Sequence, residues 1–178
     1  MLKTILKRKL SDDLLANVFI NVLVEATESS FEDIAAGVND DSAFVKNPDL
    51  KSEDIEHFQF VVIAANISLV QSTFEAVHAT RLERMVSRKL AGIYDTTVEE
   101  ISSKIKSYQS FINRVNHPSK NLVYGMSKAI FAKYELHNFQ DEYFKSLAAP
   151  NPLFIKRLNE VTDLFLWDWD AFFGKHKI

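Results

Sequence analysis

The stretch FQFVVIAANISLVQSTFEAVHATRLERMVSRKL, residues 58–90, decides the fold. One seam through it, at steps of three and four, reads Phe60, Ile63, Ile67, Val70, Phe74 and Val77, and then becomes Arg81, Arg84 and Arg88. Such steps follow one face of a helix, and the strict alternation of a half-buried strand is absent. Over the same residues the apolar positions move around the helix to Ala79, Leu82, Val86, Leu90 and Ile93, a rotation of roughly one third of a turn. With Ser52 as the start and Glu53 and Asp54 in the first turn, an unbroken helix to Leu90 would be about 58 Å long. That exceeds the width of a compact domain of this size. The sequence therefore predicts a bend near residues 77–80, or a C-terminal half that projects onto a second layer or a second subunit.

The helical period continues through the rest of the 178 residues, which hold only four glycines and four prolines. At 47% hydrophobic and 25% charged, the chain is long enough for one core and short for two. The expectation is a single all-α domain over 1–178, a bundle of six or seven helices with one long, bent central helix. Its core is aromatic, drawing on 14 phenylalanines; 1–10 form a basic extension and 39–51 a loop.

Ser11, followed by Asp12 and Asp13, reads as the N-cap of a first helix to about Ser29, with a short helix over 30–38 after it. In the first helix the apolar residues leave only a narrow polar strip of Asn17, Asn21, Glu25 and Glu28. Burial on most sides follows, in the bundle centre or in a subunit interface. Thr97 and Glu100 have capping-box spacing for a helix whose seam is Val98, Ile101, Ile105, Tyr108, Ile112 and Val115, ended by His117 and Pro118. Ser119 caps the next to about Leu136, and Asn138 starts a short one to about Ala148. Asn151 with Pro152 opens the last, and Gly174 stops it.

Two constellations could carry function. The row His78, Arg81, Arg84 and Arg88 has two readings: a solvated face complementing a helix C-terminus and the acids Glu25, Glu28, Glu32 and Asp33, or an anion site of guanidinium forks for phosphate or carboxylate. Glu75 and His78 have the Glu-x-x-His spacing of carboxylate-bridged metal bundles, but the motif occurs once, so no metal and no cofactor is assigned.

The second constellation is LFLWDWDAFF, residues 164–173. On one continuous helix Trp169 falls with Phe154, Leu158, Val161, Phe165 and Phe172, while Trp167 projects among Lys156, Asn159, Asp163 and Asp170. Trp167 then has to be covered by a loop, the tail or a partner. Asp168 falls at the apolar edge near Arg157, where a carboxylate seeks a cation. Either these two residues are clipped structurally, or they wall a cleft or an interface.

Several classes are excluded or left without support. A net charge of −3 and no cysteine give no global field for nucleic acid, no disulfide framework and no thiolate site. FEDIAAGV, residues 31–38, resembles the segment leading into the turn of a helix-turn-helix reader. NDDSAFVKNP follows, with two aspartates and a proline where a recognition helix should lie, so no nucleic-acid partner is expected. The first ten residues interrupt their apolar run with Lys7, Arg8 and Lys9, unlike an export signal, and no run approaches the roughly 18 apolar residues of a membrane span. A soluble, cytoplasmic chain is expected. Phosphate-loop, dinucleotide and nucleophile-elbow patterns are missing. The leading expectation is a non-enzymatic protein acting through a protein partner or homo-oligomer. Its rival is a binder or enzyme for a small anionic ligand on the arginine face.

Overall fold

A helix that is apolar on every face has to be surrounded, and the ten consecutive residues 58–67 are all buried. The computed structural model describes residues 8–177, so residues 1–7 of the basic extension lie outside it. Eight α-helices follow one another in it: α1 Asp12–Asn39, α2 Ile55–Thr73, α3 Ala76–Ile93, α4 Val98–Asn116, α5 Leu122–Lys133, α6 Glu142–Ser146, α7 Pro152–Asp163 and α8 Trp169–Lys175. The apolar α2 is the central member, packed against α1, α3, α4 and α5, and α7 packs on α5. Two-residue parallel strands, β1 Arg8–Lys9 and β2 His176–Lys177, join the two ends of the described chain. No helix among the described residues is long and apolar enough to cross a membrane.

The expected long central helix is two helices. Phe74 leaves the helical path with extended backbone (φ −104°, ψ 155°) and sets its ring edge-on to Trp169 at 5.0 Å. Ser72 and Thr73 just before it are exposed and are weak helix formers, so little helix stability is given up there. α3 then turns back onto α1, α2 and α4. The predicted bend at 77–80 is thus a break at Phe74 and Glu75. Each helix has its own buried face, Ile63, Ile67 and Val70 in α2 and Ala79, Leu82, Val86 and Leu90 in α3, which accounts for the rotation of the apolar pattern.

The first helix also departs from expectation. α1 runs through Ser29 and Ser30 without a break, since no glycine or proline interrupts it there and the Ser29 hydroxyl donates back to the Ala26 carbonyl. FEDIAAGV is its last two turns, with no helix-turn-helix corner. α1 is not enclosed on most sides, because Leu14, Val18 and Val22 are exposed.

The last predicted helix is divided as well, and a side chain on α2 divides it. Asn66 is fully buried; its amide donates to the Phe165 carbonyl at 2.8 Å and to Val62 at 2.9 Å, and its carbonyl accepts the Trp167 N–H at 2.8 Å. Residues 164–168 therefore bond to α2, and Gly174 lies inside α8 instead of ending it. Other caps follow local chemistry: Thr97 and Glu100 form the reciprocal capping box, Asn121 rather than Ser119 caps α5, and Asn151 caps α7 with Pro152 behind it. The 39–51 loop is held by Asn39, whose side chain both donates to and accepts from the Leu50 backbone at 2.8 Å.

Candidate functional site

The structure separates the arginine row. Asp12, in the first turn of α1, accepts His78 Nε2 on Oδ1 at 2.9 Å and Arg81 Nε on Oδ2 at 2.6 Å. Because α3 begins at Ala76, His78 and Arg81 sit in its N-terminal half, where the helix dipole does not favour the Arg81 charge; Asp12 does that instead. The partner is neither the acidic loop nor Glu25, Glu28, Glu32 or Asp33. Arg84 turns into a separate pocket, and Arg88 is exposed with no ion pair among the described residues. Glu75 precedes α3 and is exposed, while His78 is engaged by Asp12. Among the described residues no three histidine or carboxylate side chains are placed to hold a metal.

Trp167 and Asp168 stand in the turn between α7 and α8, not on the faces a continuous helix would give them. Trp167 is half-buried, edge-on to Phe19 at 5.2 Å and against Trp169 and Phe172 at 5.7 Å, so its cover is this chain itself. Asp168 is exposed and caps α8, its carboxylate accepting the Ala171 N–H at 2.8 Å. Arg157 pairs with Asp41 instead, through Nε at 2.8 Å and Nη2 at 2.5 Å. We expect Asp168→Asn, which keeps the accepting oxygen, to leave stability within about 0.5 kcal/mol of wild type, and Asp168→Ala to cost about 1 kcal/mol in urea unfolding. Equal losses in the two variants would mean that the charge, not the cap, matters there.

A groove of about 570 Å³ opens between α1 and α7. α1 packs on α2 and α3, and α7 packs on α5; between α1 and α7 the two helices stand apart. From α1 the wall is Ala26, Ser30, Ile34 and Gly37, and from α7 Phe154, Leu158 and Val161, each set spaced as one helix face, with Leu164 just beyond the end of α7. One end is closed by the Arg157–Asp41 pair. Burial opposes the Asp41 charge, but the Arg157 hydrogen bonds, the Ala43 N–H and the guanidinium charge together hold its pKa below the ordinary carboxylate value. Asp33 lines the groove and is exposed, without an ion pair among the described residues, whereas Glu25 and Glu32 fall on the far side of α1.

A more polar cleft of about 440 Å³ opens between the start of α2 and the end of α5. His57 Nδ1 lies 2.7 Å from the Tyr108 hydroxyl, and its ring meets that of Tyr134 edge-on at 5.5 Å. The Tyr134 hydroxyl accepts the Phe58 N–H and donates to the Asp54 carbonyl. Lys133 Nζ lies 4.6 Å from the Tyr108 ring centre, and Lys104 pairs with Glu56 at 2.8 Å. Burial first, then the Lys133 charge, lower the His57 pKa against the opposing pull of Glu56 and Asp54; burial pushes Tyr108 up to about 12. Burial thus favours the neutral form of the His57 imidazole, one nitrogen of which is committed to Tyr108.

A group whose pKa is lowered on folding binds protons more readily when unfolded, so stability falls as pH drops from the ordinary histidine value of 6.5 through the folded one. The urea midpoint should therefore decline between about pH 7 and pH 5, and decline less in His57→Asn. A wild-type profile with the same slope as the variant would remove His57 as the cause.

What the described residues define is an all-α bundle with an apolar groove between α1 and α7 and a polar cleft at His57. No protein-family model matches the chain, and no curated protein or solved structure matches it. The sequence reading missed the groove and the His57 cleft. Their residues come from helices far apart in the chain, so no local spacing signals either of them.

Proposed function

We propose that the protein is a non-enzymatic interaction protein that receives an amphipathic helix of a protein partner in the groove between α1 and α7. The observation that supports this is an open, apolar channel between two helices that do not close on each other, bordered by the unpaired carboxylate of Asp33. From Ala26 to Val38, the groove residues of α1, the helix rises about 18 Å, a little over three helical turns. An occupying helix presents anchors at i, i+4, i+7 and i+11. The unpaired Asp33 on the groove wall selects lysine or arginine on the flank of that helix.

The test is titration of the full chain with a fluorescent sixteen-residue peptide carrying leucine at those four positions and lysine beside them. Saturable binding, lost when glutamate replaces the lysines, is the expected result. No saturation, or equal binding of the glutamate peptide, overturns the reading. Light scattering of the free protein tests the remaining occupant: a dimer abolished by the lysine peptide would assign the groove to a second copy.

A further inference from the structure

We propose that the pocket between α2, α3 and α4 binds a small zwitterion of the amino-acid type, with its carboxylate on Arg84 and Lys106 and its ammonium on Glu83. This pocket, about 310 Å³, is distinct from the groove, and the inference does not rest on the function proposed for that groove. α3 contributes Thr80, Glu83, Arg84 and Ser87, spaced as one helical face, and α4 contributes Ser102 and Lys106 from the face opposite. Ile67 and Ile105 make an apolar floor. A volume near the lower end of the roughly 300–1,000 Å³ of ligand sites suits a molecule of amino-acid size.

The charges of the pocket are present but not matched. Glu83 is half-buried, its carboxylate hydrogen-bonded by Gln71 on α2, and burial raises its pKa against that bond and the field of Lys106. No salt bridge joins it to Arg84 or Lys106, and both cations are exposed with no salt bridge elsewhere among the described residues. Ser87 is buried, and its hydroxyl has no hydrogen-bond partner among the described residues. Burial of Glu83 is thus only partly offset by Gln71 and Lys106, and Arg84 and Lys106 line the same pocket without an ion-pair partner among the described residues.

A ligand bearing both signs completes all three charges. Two cations and one carboxylate leave one positive charge over, so an acidic amino acid, with two carboxylates and one ammonium, complements the set. A phosphate, or a dicarboxylate with no ammonium, sets its charge against Glu83. The planar guanidinium of Arg84 takes a carboxylate through two parallel bonds, while the Ser87 hydroxyl can donate a third.

Isothermal titration calorimetry of the full chain with L-glutamate tests this, beside glutarate, which lacks only the ammonium, and inorganic phosphate. Saturable glutamate heat is expected, weakened at least about tenfold in Arg84→Gln and in Lys106→Gln, with glutarate and phosphate at least about tenfold weaker than glutamate on wild type. Both substitutions are at exposed positions and should leave the urea midpoint unchanged. A flat titration to about 10 mM glutamate overturns the proposal. So does an affinity indifferent to both substitutions, and so does glutarate or phosphate binding as tightly as glutamate, which would make the pocket a general anion site.

Discussion

Replacing Asn66 by alanine should lower the free energy of unfolding by about 3 kcal/mol, because it orphans two backbone groups that nothing else reaches. In the folded chain the side chain is inaccessible and satisfies the Phe165 carbonyl and the Trp167 N–H together. Each buried group left without a partner costs roughly 1–3 kcal/mol, and the shorter alanine leaves room for a water to recover part of that. Alanine is the better helix former, which offsets only a few tenths of a kcal/mol in mid-helix. Asn66→Asp should do worse: it can still accept the Trp167 N–H, but it loses the donor to Phe165 and sets a charge among apolar neighbours. Urea unfolding followed by circular dichroism reads the loss. Tryptophan emission reads its location, because Trp167 should move toward the wavelength of exposed indole before the rest of the helix signal changes. A loss below about 1 kcal/mol would mean that the 164–168 turn is set by its aromatic packing and not by the amide.

That turn marks the boundary of what the sequence could tell. Helix faces that bury against a single neighbour were legible: the seam Ile101, Ile105, Tyr108 and Ile112 is buried as its spacing requires, and the Thr97–Glu100 box and the Asn151 cap form as written. These depend on residues three or four apart. The breaks at Phe74 and at 164–168 depend on residues far apart, Phe74 on Trp169 and Asn66 on Phe165, and a helical period continues through both without a local stop signal. The same distinction governs the sites. Arg81 and Arg84 are neighbours on one seam, yet Arg81 serves Asp12 on α1 while Arg84 faces α4, so a row that reads as one site is divided between two. Trp167 was placed by extrapolating a helix that ends four residues earlier, at Asp163.

Filling the groove from within should separate binding from folding, and Gly37→Phe is the change that does so. Gly37 lies on the groove face of α1, takes no positive φ, and a Cβ built on it meets no atom within 4 Å. A side chain there projects into the channel without displacing the core. Glycine in a helix interior costs roughly 0.5–1 kcal/mol relative to alanine, so replacing it should hold or raise the urea midpoint. A phenyl ring beside Ile34 and Val161 then occupies the space an incoming leucine would fill. Affinity for the lysine–leucine peptide should fall at least about thirtyfold, roughly 2 kcal/mol, the value of one fully buried leucine anchor. Gly37→Ala is the companion variant: the same backbone gain, little of the bulk, and near wild-type affinity. If the phenylalanine variant binds the peptide as tightly as wild type while folding normally, the peptide sits elsewhere on the molecule. If the alanine variant loses affinity as fully as phenylalanine does, groove filling is not the cause, and the flexibility of α1 at Gly37 is what binding requires.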